Sequence, residues 1–181
     1  MASESSATIS PAKCALLIID VQQDLFEKTN PIYQADRLLD NLLALVEAAH
    51  RPGAPVAYIQ HNNKSGLLKD SPGWQLHPRL RPQEGDLRVD KQRSNAFEQT
   101  PLDELLRARE VEHVVVTGMV SNICVKNTCL GAIALGYTTT LVSDAHSTDR
   151  QDAAKVIALW NEKLSQAGVA VKPAREITFE C

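Results

Sequence analysis

The sequence predicts a three-layer α/β/α sandwich on a mostly parallel six-stranded sheet, a Rossmann-like arrangement. Three observations carry that expectation. Short apolar runs recur along the chain, amphipathic helical stretches separate them, and no repeat or linker interrupts the alternation. Parallel neighbours need right-handed crossovers, which put helices on both faces of the sheet. The 181 residues, 44% of them hydrophobic, suffice for one core, so residues 13–181 are expected to form a single domain. Residues 1–12, small and polar, read as a flexible leader.

The elements follow in order. Residues 14–20, Cys-Ala-Leu-Leu-Ile-Ile-Asp, form an apolar run ending in a carboxylate, the pattern of a strand buried on both faces. Leu38, Leu39, Leu42, Leu45, Val46 and Ala49 have helical spacing within residues 35–50, and Arg51-Pro52-Gly53 stops that helix. Residues 56–60 make a second strand. From His61 to Pro82 the pattern breaks into Asn, Gly, Pro and Ser around Trp74 and His77, a long connection of the kind that often carries function. Residues 87–89 are a short strand candidate, and 101–109 a helix capped by Thr100 with Pro101 in its first position. A strand at 113–118, a helix at 122–135 ended by Gly136, and a strand at 138–142 follow. A helix at 149–166, closed by Gly168, and a strand at 169–171 complete the set.

Net charge is −3 with a pI near 5.9, and the basic residues are scattered among acids. Neither nucleic acid nor a membrane surface is expected as a partner, and no apolar run approaches the ~20 residues of a membrane span. Four cysteines without a secretion signal are expected to be free thiols in the cytoplasm. Cys124 and Cys129 do not form a C-x-x-C pair and lack neighbours to complete a zinc set, so neither metal nor cofactor is expected.

In open parallel sheets ligands bind beyond the carboxyl ends of the strands. Asp20, Gln60-His61, Asp90-Lys91, residues 118–124 and Asp144-Ala145-His146 all fall at such ends. Cys124 lies at the first turn of a helix, where unpaired N–H groups and the dipole favour a thiolate and can hold an oxyanion; a small buried helix residue fits the position equally well. Cys129, further into the helix, reads as packing. Asp20 is either a base in a dry site or a turn cap, and Lys91 either a solvated charge or a cation steadying Asp20 and a thiolate.

Taken together, three segments resemble the isochorismatase-like cysteine hydrolases over nearly the whole chain. They are Leu17-Ile-Ile-Asp20-Val-Gln-Gln-Asp24-Leu-Phe26, then Lys91 with Ser94-Asn95-Ala96-Phe97, then Gly118-Met-Val-Ser-Asn-Ile-Cys124-Val with Thr128, followed by Gly136-Tyr137 and Val142-Ser-Asp144-Ala145. The resemblance implies an Asp20, Lys91, Cys124 triad that hydrolyses a C–N bond through a thioester. It further implies a cis peptide bond at Val120–Ser121 that aims N–H groups, with that of Cys124, at the oxyanion. Metal-dependent nicotinamidases of the family carry Asp-x-His plus another His after the second strand. This chain has Gln60-His61-Asn62-Asn63, which points away from a metal and from nicotinamide.

Ser71-Pro-Gly-Trp74-Gln-Leu-His77-Pro78 resembles a subgroup that includes streptothricin hydrolase. The substrate implied is a small amide or lactam, and the assembly implied is a homodimer or homotetramer. Phe26, His61 and Trp74 are candidates to line the pocket, with Asn95 a donor near the Lys91 loop. His77 reads as a turn cap; His146 either faces the site or bonds backbone. Two other functions fit the residues: vinyl ether hydrolysis with Asp20 and water, and a redox thiol without turnover.

Overall fold

The computed structural model describes residues 13–180; the expected leader lies outside the described residues. Six strands form one sheet: β1 (Lys13–Ile19), β2 (Val56–His61), β3 (Leu87–Lys91), β4 (Val111–Met119), β5 (Thr138–Ser147) and β6 (Ala170–Lys172). Every pairing is parallel, in the order β3-β2-β1-β4-β5-β6. The order reverses between β1 and β4, so the crevice at their carboxyl ends is the switch point where such folds bind ligands.

Side chains of β1 alternate between two cores. Ala15, Leu17 and Ile19 pack on one face with α3 (Leu102–Arg107) and α4 (Lys126–Ala134), and with Leu164 of α5 (Ala153–Gln166). Cys14, Leu16 and Ile18 pack on the other with Leu38, Leu39, Leu42 and Leu45 of α2 (Ala35–His50) and with Ile177 and Phe179. The period of two along a strand buried on both faces is what makes the run at 14–19 continuously apolar.

Three departures from expectation have local causes. β5 continues past Val142 to Ser147 because, after a register shift at Val116/Gly118, Gly118 pairs with His146 and Met119 with Ser147. The four-residue helix α1 (Gln23–Phe26) arises where Gln23 N–H and Asp24 N–H donate to Gln75 and Gly73 carbonyls, tying the turn after β1 to the long connection. Helix 122–135 opens with a π-helical turn, Ser121–Val125, before α4.

Cys124 and Cys129 are free, as expected, whereas Cys14 is disulfide-bonded. Pairing of cysteines distant in sequence is decided by tertiary proximity, which spacing does not reveal. Cysteine usage therefore no longer argues for a reducing compartment. No helix among the described residues is long and apolar enough to cross a membrane.

Candidate active site

Asp20 follows the last residue of β1 and is turned by a left-handed backbone, φ +53, while its N–H still donates to Ile59 O at 2.9 Å. Asp tolerates that conformation better than most residues. The turn leaves Asp20 buried, 3% exposed, at the sheet edge. Lys91 ends β3 and is 1% exposed. Its Nζ lies 2.9 Å from Asp20 Oδ2 and donates at 3.4 Å to Cys124 Sγ, joining the ends of β1, β3 and the β4–α4 turn. A lysine this deep without a partner would lose its charge; here the carboxylate compensates it.

Two more contacts complete the ammonium's surroundings: Arg93 O at 3.1 Å and His61 Nδ1 at 3.1 Å. Burial holds the His61 pKa below its ordinary value, and the neighbouring Lys91 charge adds to that, with Asp20 opposing. His61 is therefore neutral near pH 7, and its Nδ1 is the acceptor. Its backbone is fixed by Gln22, fully buried, whose Oε1 accepts from His61 N–H at 2.9 Å and whose Nε2 donates to His61 O and Trp74 O. Asp20 Oδ1 is buried and accepts no hydrogen bond.

Cys124 sits on the third turn position after Ser121, half-buried, against the apolar core below α4. The expected depression of its pKa by the helix terminus is not what the site produces. Burial pushes the thiol up to about 12, the Asp20 charge adds to this, and Lys91 only partly offsets it. The resting group is a thiol beside an ion pair. Cys129, fully buried, is also raised to about 12, by burial alone.

The turn that carries Cys124 can approach β1 because residue 118 is glycine. Its φ is +107, and a Cβ there would drive into the Ile19 carbonyl. A β-bulge at that point bends the strand end. Beside it, Ser121 and His146, both buried, share a 2.8 Å hydrogen bond at Nδ1, and His146 Nε2 meets Asn161 Oδ1 at 2.9 Å. Since Asn161 Oδ1 only accepts, Nε2 carries the proton and the Ser121 hydroxyl donates to Nδ1. Burial lowers the His146 pKa to about 4. His146 thus faces Ser121 and not backbone.

The cis peptide bond is Met119–Val120, one position before the expected Val120–Ser121. The reason lies in the hydrogen bonding of the next turn. Val120 O accepts from Ile123 N–H and Val125 N–H, so the Val120–Ser121 peptide already belongs to the helical ladder and must be trans.

Among the candidate pocket residues, only His61 joins the ion pair directly. Trp74 is 7% exposed, its carbonyl held by Gln22 and Gln60 and its indole N–H buried without a partner. Phe26 packs on His77 at 4.6 Å between ring centroids. His77 Nδ1 accepts from Arg79 N–H, the turn-capping role its sequence suggests. Asn95 bonds Phe97 N–H and lies against Gly131 of α4, where a Cβ would displace it. With Ala96 N–H on Thr128 Oγ1 and Asn127 on Ser94 Oγ, it zips the Lys91 loop onto the helix bearing Cys124. Gln22 and Asn161 were not singled out in the sequence. Gln22 directly follows a continuously buried run, which was a signal; Asn161 lies in a largely exposed stretch of α5 and carried none. Among the described residues, no three His, Cys, Asp or Glu side chains come together in a way that could hold a metal ion.

Residues 14–172 match the isochorismatase domain model. Streptothricin hydrolase from Streptomyces noursei is 33% identical over 150 residues, 82% of this chain and 59% of that protein. A second streptothricin hydrolase sequence is matched over 49% of its length, so the chain spans about half to three fifths of these relatives. Ureidoacrylate amidohydrolase of Klebsiella variicola (strain At-22) is 29% identical, with 86% of this chain and 82% of that protein covered. The crystal structure of N-carbamoylsarcosine amidase from Thermoplasma acidophilum superimposes with a TM-score of 0.81 at 26% identity, covering 91% of this chain and 98% of that one. With the domain model spanning β1 to β6 and the Asp, Lys and Cys segments falling inside it, the chain belongs to the isochorismatase family.

Proposed function

We propose that this chain hydrolyses the C–N bond of a small amide or lactam, with Cys124 as nucleophile. One observation carries the reading: a single buried ammonium contacts both the Asp20 carboxylate, at 2.9 Å, and the Cys124 sulfur, at 3.4 Å. The relatives named as amidohydrolase and amidase support the reaction class.

The chemistry follows from the charges. Asp20 Oδ1, without a hydrogen-bond partner, is the destination of the thiol proton as sulfur attacks the substrate carbonyl. Lys91 faces both the sulfur and Asp20, so it stabilises the transient thiolate and then the neutralised pair. N–H groups of the first turn, that of Cys124 among them, hold the oxyanion. The tetrahedral intermediate expels the amine as Asp20 returns the proton to nitrogen, leaving a thioester. Water, deprotonated by Asp20, attacks that thioester; the acid departs and the proton returns to sulfur.

A redox-sensing role is weaker, because a sensor needs a thiolate at neutral pH and Cys124 is pushed up to about 12. The test is intact-mass measurement during turnover of an amide and lactam library, with an acyl adduct expected on Cys124. Full amide turnover by both Cys124→Ala and Asp20→Asn would discard the reading.

A further inference from the structure

On the face of the sheet covered by α2 lies a cavity of about 500 Å³, within the range of small-molecule pockets. It shares no lining residue with the candidate active site. Leu43 and Val46 of α2 and Leu80 of the long connection give it an apolar wall. That wall is anchored: Leu80 N–H donates to His77 O, and His77 N–H to Val21 O, at 2.8 Å each.

The polar lining is basic, with Arg51, Arg79 and Arg81 against one acid, Glu47. Two of the three cations are already matched, Arg51 by Glu47 and Arg79 by Asp40, at 2.5 Å each. Both oxygens of neighbouring Asp86 are also taken, Oδ1 by His50 Nε2 at 2.8 Å and Oδ2 by Gln83 N–H at 2.7 Å. Arg81 is exposed and makes no hydrogen bond or ion pair among the described residues. One cation at the cavity is left without an anion.

The floor has a matching deficit. Tyr58 of β2 lines the cavity, is fully buried, and has no hydrogen-bond partner for its hydroxyl among the described residues. Burial pushes the phenol pKa up, Asp86 adds to this and Arg88 opposes it, so Tyr58 is a neutral donor. Buried donors in folded chains almost always have an acceptor, and none of the acids around this one is free to serve.

We propose that this cavity binds a small organic monoanion, a carboxylate whose charged end meets Arg81 and the Tyr58 hydroxyl and whose carbon body lies along Leu43, Val46 and Leu80. One carboxylate answers both deficits, whereas inorganic phosphate brings a second charge and nothing for the apolar wall. The inference stands apart from the hydrolase reading and needs no turnover.

The experiment follows thermal unfolding with hexanoate as probe at constant ionic strength, and hexanol and inorganic phosphate as comparators. Hexanoate at about 20 mM is expected to raise the midpoint by ~5 °C, with half-saturation near ~1 mM. Each comparator is expected to move it less than ~1 °C. Arg81→Ala and Tyr58→Phe are each expected to weaken half-saturation about tenfold. Without ligand, Tyr58→Phe is expected to melt no lower than the parent, because it removes a buried donor that lacks an acceptor. A lower midpoint for that variant means that an internal water already serves the hydroxyl, and overturns the proposal. A hexanoate shift retained in either variant puts the anion elsewhere, the catalytic centre included, and also overturns it. So does the absence of a saturable shift, or an equal one with hexanol or phosphate.

Discussion

Two buried polar networks meet at the turn that carries Cys124, and they differ in how completely they are satisfied. In the network of Asp20, Lys91, His61 and Cys124, one carboxylate oxygen accepts nothing, and four groups crowd a single ammonium. In the network of Ser121, His146 and Asn161, each imidazole nitrogen has one partner of the right polarity. Burying unmet hydrogen-bonding capacity costs on the order of 1–3 kcal/mol per group, so the first network is maintained against its own stability and the second in favour of it. Under the proposed function, the difference separates a place where protons move from a brace that holds the turn still. Cys129 provides a contrast in the following helix: fully buried where Cys124 is half-buried, its thiol is raised by burial alone, with no carboxylate acting on it.

That division is open to direct tests. The largest effect belongs to the proposed nucleophile: Cys124→Ala is expected to lower amide turnover by about 10⁴-fold or more, whereas Cys129→Ala changes it less than about threefold. Next, Asp20→Asn, which removes the proton acceptor, lowers kcat by roughly 10²–10⁴-fold with the fold retained in circular dichroism. Lys91→Met strands the Asp20 charge in the interior; denaturant unfolding at pH 7 is expected to register a loss of about 3–5 kcal/mol, recovered in part by the double variant with Asp20→Asn. If the double variant is no more stable than the single, the buried ion pair is not what Lys91 contributes.

The brace makes a prediction of opposite character, in stability and its pH dependence. His146 has a folded pKa of about 4, below the unfolded value of ~6.5. Between these values the unfolded chain binds more protons, so stability is fully present above pH 6.5 and falls as pH drops towards 4. The loss attributable to this group is on the order of 3 kcal/mol, and comparison with His146→Gln should show that portion missing. The smallest effect is expected from Ser121→Ala, which leaves Nδ1 without its donor: about 1–3 kcal/mol of stability, with kcat changed less than tenfold. A larger drop in kcat than in stability would move Ser121 from the brace into the reacting network.

Much of this molecule was legible before folding. The run at residues 14–19, the helix at 35–50 and the strand at 113–118 are periodic enough to read directly; the rule that ligands gather at carboxyl ends of parallel strands points to Asp20, Gln60-His61, Asp90-Lys91, residues 118–124 and Asp144-Ala145-His146, and the family resemblance picks Asp20, Lys91 and Cys124 from among them. Less legible were features arising from contacts between distant segments. β5 outran its apolar pattern because pairing with Gly118 and Met119 carried it on. Asn95, a candidate ligand contact in the sequence, is placed by a missing Cβ at Gly131, thirty-six residues away. The cis bond fell one residue earlier than expected because the hydrogen bonds of the following turn had already claimed the Val120–Ser121 peptide.

By itself, the sequence determined the order of the layers, the strand ends and the residue types available there, because periodicity and short motifs are local properties of a chain. Tertiary structure alone decided which of those residues share protons. Lys91 meets Asp20, His61 and Cys124, which come from three other segments, the Asp20 turn and its neighbouring strands bury the site, and burial pushes the thiol up to about 12. Desolvation and the counting of donors against acceptors exist only after distant strands have been brought within ~3 Å of one another.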